Sequence, residues 1–402
     1  MTLHFDELVF DSGGQPLFPG QLDDLMVNSI GLGVTDLIFF AHGFRCNASD
    51  ATALYTRLLE TLSPHLACMQ DRQFGIAGIY WPSKEFPESL GTAQSVRGNF
   101  SVLRSLAGGD AGLDLIHAQC LLPRLPGNRG AQNDFVSTVL TAFDDGGEDP
   151  TEGLPLLHEF LDSPNGGAEL LDRLRVPVTE PRTNVESLLG GVDMFLNFMT
   201  WARMKRLAGA VGEIGLASYI LACQRRLPSV RIHLVGHSLG GRLMAACCKS
   251  LARLGGRPVD SLSLLEAAFS HFGFSPDAGW RQPGFFREVI SGKAVSGAII
   301  STFSKRDKVV GLAYAAASRL AHDNLQAIIG DATDPYGGIG HNGAQLTPES
   351  TAQALHEAGQ QYDLPSGIVT CLDGSAGLIA GHDDVTNTHV TYAIASAIGA
   401  AN

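Results

Sequence analysis

The sequence predicts an α/β protein with one mostly parallel, doubly wound sheet and an inserted, largely helical region. Two apolar runs, residues 36–41 and 75–81, are typical of strands that are buried on both faces. Between them, residues 48–62 have apolar side chains at helical spacing. A strand, a helix and a second strand in this order form a β-α-β unit, whose two strands run parallel.

The alternation of strands and helices continues through the C-terminal half. The spacing predicts helices over 192–223, 309–329, 348–359 and 387–400, and strands over 259–267, 296–303 and 366–372. Near the N-terminus, residues 3–18 predict a hairpin that would form an antiparallel edge. This pattern favours an open sheet with helices on both faces.

The alternation is interrupted between Pro82 and about Ser187. Pro-Gly and Gly-Gly dipeptides and short amphipathic segments predict an inserted region there. We therefore expect a core of residues 1–81 and 188–402 and a cap of residues 82–187. The acidic residues 144–149 lack the ligand periodicity of a calcium loop, so no metal is predicted there. No cofactor is predicted either.

Composition narrows the class of protein. Of 402 residues, 45% are hydrophobic and 17% charged, which is typical of a compact globular protein. A net charge of −13 argues against binding to nucleic acid or anionic membranes. The seven cysteines are scattered without C-x-x-C spacing, which argues against a disulfide framework or a zinc site. With no secretory signal or long apolar run visible, we expect a cytoplasmic protein without a membrane-spanning segment.

One stretch combines a strand, a sharp turn and a helix around a single serine. Residues 231–242 read RIHLVGHSLGGR, and an Ala/Cys-rich helical segment follows. Ser238 lies in the only G-x-S-x-G match of the chain. Glycines two residues either side are required there, because a Cβ at those positions would collide with the strand or with the start of the helix.

This stretch resembles the nucleophile elbow of the α/β-hydrolase superfamily, which includes serine esterases and lipases. The resemblance covers roughly residues 30–81 and 200–400, and it implies an α/β-hydrolase fold. It also implies that an acidic residue and then a histidine follow Ser238 in the chain, and that these groups activate its hydroxyl.

For the acid, the resemblance points to Asp307. This residue follows the strand predicted over 296–303 and precedes an apolar helix, as the acid does in the superfamily. Glu266, at the end of the previous strand, is the main alternative. Asp331 and Asp334 are weaker alternatives, because they follow a helix.

For the base, the resemblance points to His382. Residues 381–385 read GHDDV and lie between the last predicted strand and a closing apolar helix. His389, which opens that helix, is the alternative. His341 precedes the last predicted strand, so its order in the chain fits poorly.

The resemblance also implies two backbone donors for an oxyanion. The N–H of Leu239 directly follows the serine at a helix start. The N–H of Phe44 lies in His42-Gly43-Phe44, which resembles the oxyanion motif of the superfamily. We expect His42 to hold that loop, and we assign no proton transfer to His237.

Together these residues predict a serine hydrolase that cleaves a carboxylic ester, of a small molecule or a lipid, through an acyl-enzyme on Ser238. His42, Phe198 and Met199 are predicted to line the substrate pocket, although the apolar stripe around Phe198 is also typical of core packing. Amide or thioester hydrolysis, acyl transfer, and a binding protein without turnover stay open as alternatives. The sequence also leaves the oligomeric state open.

Overall fold

The computed structural model describes residues 3–44, 46–83, 93–107, 110–143, 163–174, 184–278, 282–310 and 337–401. These residues form two compact units. The first contains the described residues of 3–83, 207–310 and 337–401, and the second contains those of 93–206. Most of the helix predicted over 309–329, the alternatives Asp331 and Asp334, and the acidic residues 144–149 lie outside the described residues.

The first unit is built on one sheet of eight parallel strands in the order β1-β3-β2-β4-β5-β6-β8-β7. The strands are β1 (His4–Val9), β2 (Asp36–Ala41), β3 (Phe74–Tyr80), β4 (Arg231–His237), β5 (Ser261–Leu265), β6 (Ile299–Phe303), β7 (Ser350–Ala354) and β8 (Val369–Asp373). Every residue of β2 and β3 is buried, as their continuous apolar runs predict. The predicted α/β class and the parallel sheet are confirmed.

Helices connect these strands and build the second unit. They are α1 (Gln21–Gly31), α2 (Ala48–Leu66), α3 (Ala93–Leu106), α4 (Asp110–Leu121), α5 (Arg129–Ala142), α6 (Gly166–Arg173), α7 (Asn184–Ala210), α8 (Ala217–Arg226), α9 (Leu239–Arg253), α10 (Arg287–Ser291), α11 (Ile339–Asn342) and α12 (Thr388–Gly399). In the described part of the second unit, only helices and turns occur, and the rings of Phe100, Phe135 and Phe195 meet edge to face.

Helices cover both faces of the sheet, because neighbouring residues of a strand point to opposite faces. Val235 of β4 packs in the apolar cluster that α2 and α12 form with one face. The next residue, Gly236, points to the other face, where a Cβ would clash with the carbonyl of Gly240 in α9. The central strand β4 therefore lies between these two layers of helices.

The structure corrects two predicted elements. Of the hairpin predicted over residues 3–18, the local turn forms, with an antiparallel bridge between Phe10 and Pro16. The antiparallel edge expected from it is wrong, because β1 joins the sheet parallel to β3. The helix predicted over 348–359 is also wrong, because Ser350–Ala354 form the edge strand β7 beside β8. In both cases the partner is distant in sequence, so local spacing did not indicate it.

The helical stretch Val185–Arg226 is long and apolar enough to cross a membrane, judged by length and composition alone. It includes a π-helical segment, Val211–Leu216, against which α9 packs at Gly212. Its apolar window is 61% buried within the protein, and a core helix passes the same test, so the stretch is weak evidence for a membrane span.

Candidate active site

Ser238 lies in a strained turn between β4 and α9. Its backbone has φ 56° and ψ −122°, a region that non-glycine residues rarely adopt. The turn is held because Ser238 donates its N–H to the carbonyl of Leu265 at 3.0 Å, and its own carbonyl accepts from Gly241 and Ala268. Such strain persists only where the surrounding structure fixes it, and it is common at functional sites.

The structure brings Ser238, Asp307 and His382 together at the carboxyl ends of three strands. Asp307 follows β6, and His382 follows β8. The Nε2 atom of His382 is 2.9 Å from Ser238 Oγ, and its Nδ1 atom is 2.8 Å from Asp307 Oδ2. Because a carboxylate only accepts, Nδ1 carries the proton and Nε2 presents its lone pair to the serine hydroxyl.

Asp307 has no contact with solvent, and the surrounding turn fixes its carboxylate. The second carboxylate oxygen, Oδ1, accepts the backbone N–H of Val310 at 2.9 Å. The backbone N–H of Asp307 binds the carbonyl of Ser304 at 3.0 Å. Each oxygen of this buried carboxylate therefore has a donor, which is what a buried charge requires.

The chain matches no model of a known protein family, no curated protein and no solved structure.

The loop after β2 lies directly against Ser238. A Cβ on Gly43 would be 2.7 Å from Ser238 Cβ and 3.3 Å from Ser238 Oγ, so only glycine permits this approach. The next residue is Phe44, the first predicted oxyanion donor. The second, Leu239, opens α9, where backbone N–H groups have no acceptor inside the helix. The two N–H groups thus belong to segments that flank the serine.

His42 supports this loop. Its buried ring stacks on Trp81 at 5.5 Å between centroids, and its Nδ1 donates to the carbonyl of Gly43 at 3.0 Å. Its backbone N–H and carbonyl bind Tyr55 and the indole N–H of Trp81. Burial lowers the pKa of His42 to about 4, so the ring is neutral near pH 7. A pocket role for His42 stays a prediction.

Glu266, the alternative acid, is in a different environment from Asp307. It is 0% exposed, and neither carboxyl oxygen has a hydrogen-bond partner among the described residues. Burial raises the pKa of this carboxyl well above its usual range, which favours its protonated form. The partner of His382 is Asp307 instead.

His389, the alternative base, lies in the first turn of α12. Its Nδ1 accepts the backbone N–H of Ala358 at 3.1 Å, which ties the start of the helix to a neighbouring turn. The nitrogen that faces Ser238 Oγ belongs to His382.

The predicted pocket residues Phe198 and Met199 are buried in α7 within the second unit. The ring of Phe198 packs against Trp201 at 6.2 Å between centroids. Their predicted role in binding an acyl chain stays a prediction.

His237 and His341, to which sequence reasoning assigned no role, contact the main chain of the site. His237 Nε2 is 2.9 Å from the carbonyl oxygen of His382, and His341 Nδ1 is 3.0 Å from the carbonyl oxygen of Asp307. Both pairs join residues far apart in the chain, so no sequence spacing marks them.

Among the described residues, one group has the composition of a metal site. Potential ligand atoms of His237, His382 and Asp383 lie within 4.8 Å of one another. However, both ring nitrogens of His382 already bind Asp307 and Ser238, and Nε2 of His237 donates to a carbonyl. A metal ion would have to break these bonds, so the geometry favours a hydrogen-bonded site.

Proposed function

We propose that the chain is a serine hydrolase of the α/β-hydrolase fold, which cleaves a carboxylic ester through an acyl-enzyme on Ser238. The observation that carries the proposal is the continuous hydrogen-bond chain from Ser238 Oγ through the ring of His382 to the buried carboxylate of Asp307. A serine hydroxyl is a poor nucleophile until a base takes its proton, and this chain supplies the base and the acid that orients it.

In the first half of the reaction, Ser238 Oγ attacks the ester carbonyl while its proton passes to His382 Nε2. The imidazolium that forms donates from Nδ1 to Asp307, whose negative charge stabilises it. His382 then gives the proton to the leaving alcohol, and Ser238 is left as an acyl ester. In the second half, a water molecule attacks this ester and its proton passes to His382. His382 then returns the proton to Ser238 Oγ as the acid is released, which restores the starting state.

The negative charge on the carbonyl oxygen needs donors that are already in position. The N–H of Leu239 lies at the start of the 15-residue helix α9, where the helix dipole adds a favourable partial charge. The N–H of Phe44 follows Gly43, which lies against Ser238. These two groups are the proposed oxyanion donors.

The position of Ser238 in the sheet also supports the proposal. In open parallel sheets, ligands bind outside the carboxyl ends of the strands. Ser238, Asp307 and His382 follow β4, β6 and β8 at that edge. That residues 82–187 act as a cap, and that the substrate is a small-molecule or lipid ester, stay predictions.

Labelling with a fluorophosphonate probe tests the reaction class, because the probe reacts covalently with an activated serine but not with an ordinary serine hydroxyl. The wild-type protein is expected to take up one probe at Ser238, identified by peptide mass analysis, and Ser238→Ala is expected to take up none. The control is Ser396→Ala, which removes a hydroxyl that binds a backbone carbonyl in α12. A wild-type protein that folds but stays unlabelled would overturn the proposal.

A further inference from the structure

Two imidazoles outside the chain of Ser238, Asp307 and His382 each bind its backbone. His237 Nε2 contacts the carbonyl oxygen of His382, and His341 Nδ1 contacts the carbonyl oxygen of Asp307, at 2.9 and 3.0 Å. A carbonyl oxygen only accepts hydrogen bonds, so each of these ring nitrogens carries a proton and donates. The two rings are 7% and 5% exposed, and they therefore hold these carbonyls within the protein interior.

If His237 served only to pack the interior, its polar ring would be less favourable there than an apolar side chain. With Nε2 donating, the neutral ring has a lone pair on Nδ1, and this buried atom has no partner among the described residues. An unpartnered buried acceptor is destabilising, and an apolar side chain of similar size would avoid this cost. Burial and the neighbouring His382 lower the pKa of His237 to about 4, so protonation does not satisfy Nδ1 near pH 7.

His341 lies on α11, which is attached to the turn that carries Asp307. The backbone N–H of Ser304 donates to the carbonyl of Gly340 at 3.1 Å, and the side chain of Lys305 binds that of Asn342. The donation from His341 to Asp307 thus adds a third link between the two segments.

These contacts matter because His382 and Asp307 stand on turns, outside regular strands and helices. The direction of each side chain depends in part on the orientation of its own peptide group, and a hydrogen bond to the carbonyl restrains that orientation. A displacement of about 1 Å in a reacting group lowers a rate by roughly 100-fold.

We propose that His237 and His341 are positioning residues: His237 orients the base His382 through Nε2, and His341 orients the acid Asp307 through Nδ1. The inference rests on the proposed function of Ser238. In this proposal the donating nitrogen is Nε2 in His237 and Nδ1 in His341.

Because the donating nitrogens differ, asparagine and glutamine should have opposite effects at the two positions, and this crossed pattern is the test. The amide nitrogen of glutamine reaches the place of a histidine Nε2, and the amide nitrogen of asparagine reaches that of Nδ1. His237→Gln and His341→Asn are therefore expected to stay within about threefold of the wild-type kcat. His237→Asn and His341→Gln are expected to lose on the order of 10- to 100-fold in kcat, with KM nearly unchanged.

Two readouts accompany the kinetics. The first is the rate constant of fluorophosphonate labelling of Ser238, which should follow the same crossed pattern. The second needs no reaction: the proton between His382 Nδ1 and Asp307 should give a low-field signal in proton NMR spectra of the whole protein. This signal should persist in His237→Gln and His341→Asn and shift or broaden in the other two variants. His389→Asn and His389→Gln are the matched controls, and both should behave as wild type.

The crossed pattern supports the inference. Equal effects of asparagine and glutamine at either position, or the reversed order, overturn it, and so does failure of both variants at one position to fold, because the ring would then be purely structural. An unlabelled wild-type protein would overturn the proposed function instead. The NMR signal would still show whether the two rings orient His382 and Asp307.

Discussion

The carboxylate of Asp307 lies 2.8 Å from Nδ1 of His382, although 75 residues separate the two in the chain. In the proposed reaction, Asp307 orients His382 and stabilises its charged form, whereas His382 itself takes the proton from Ser238. His382→Ala is expected to lower kcat about 10⁴- to 10⁶-fold, and Asp307→Asn is expected to cause a loss that is about 10- to 100-fold smaller. Steady-state hydrolysis of a p-nitrophenyl ester measures both.

Glu266→Gln and His389→Ala provide the comparison for this first prediction. Glutamine resembles the protonated carboxyl that burial favours at Glu266, so the kcat of Glu266→Gln should stay near that of wild type. The ring of His389 binds a backbone N–H away from Ser238, so its loss should also leave kcat nearly unchanged. If either folded variant is more damaged than its counterpart at Asp307 or His382, the assignment of acid or base moves to it.

The second prediction concerns the close approach of Gly43 to Ser238. In Gly43→Ala, the new Cβ would lie 2.7 Å from Ser238 Cβ, so the loop that carries the N–H of Phe44 must move. Loss of one oxyanion donor lowers kcat on the order of 100- to 1,000-fold, and we expect a loss of this size with little change in KM. Gly31→Ala is the control, because a Cβ there meets nothing within 4 Å. Activity above half of wild type in folded Gly43→Ala would contradict this account of the loop.

The third prediction concerns Asp36, which is buried at the start of β2. Arg231 binds both of its carboxylate oxygens, at 2.8 and 2.9 Å, and His233 Nε2 lies 3.0 Å from one of them. Burial opposes ionisation, but the hydrogen bonds from His233 and Arg231 outweigh it and hold the pKa of Asp36 well below its usual range. Asp36→Asn removes the buried charge that pairs with the buried ring of His233 and the partly exposed Arg231, and it should lower the free energy of unfolding by up to about 3 kcal/mol at pH 7.

The pH dependence of this effect has a definite sign. Because the folded pKa of Asp36 is depressed, its contribution to stability is complete above the unfolded pKa of about 3.9 and is lost as the pH falls below it. The difference in unfolding free energy between wild type and Asp36→Asn should therefore shrink below about pH 4, as measured by urea unfolding. Asp23→Asn, which breaks an exposed pair with Arg226, should have little effect. A difference that stays constant with pH would contradict the prediction.

The central strands could be predicted because strands that are buried on both faces consist of apolar residues. Residues 36–41 and 75–81 are apolar throughout, and both occur as buried strands with close to these bounds. The edge strand β7 has no such apolar run. Its residues are small or polar and mostly exposed, so neither a continuous apolar run nor an alternating pattern identifies it.

In the candidate site, too, some features could be predicted from the sequence and others could not. Ser238, Asp307 and His382 could be selected because each stands beside a strand or helix in a recognisable motif, and the structure brings them within hydrogen-bond distance. The contacts of His237 and His341 could not be predicted. Each is a single hydrogen bond from the end of a strand or from a short helix to a turn elsewhere in the chain, and such pairs form only after the sheet has aligned its strands.

The last prediction concerns the acyl group of the substrate. If the apolar side chains of α7 line an acyl pocket, each additional buried CH₂ contributes about 0.8 kcal/mol, which is about a fourfold gain in kcat/KM. A series of p-nitrophenyl esters from two to sixteen acyl carbons should therefore show a rise in kcat/KM and then a fall where the pocket ends. Phe198→Ala and Met199→Ala should move the optimum toward longer chains, because each enlarges the space available.

Both residues are buried in the second unit, so the same substitutions also test the alternative that they only pack its core. If the two side chains only pack the core, the variants should have a lower melting temperature and the same optimal acyl chain length. If they line an acyl pocket, the optimal chain length should shift whether or not the melting temperature falls. Val185→Ala is the control on the same helix, because Val185 is 45% exposed and its truncation leaves no cavity. A flat chain-length profile that neither Phe198→Ala nor Met199→Ala changes would assign both side chains to the core and leave acyl selection to other residues.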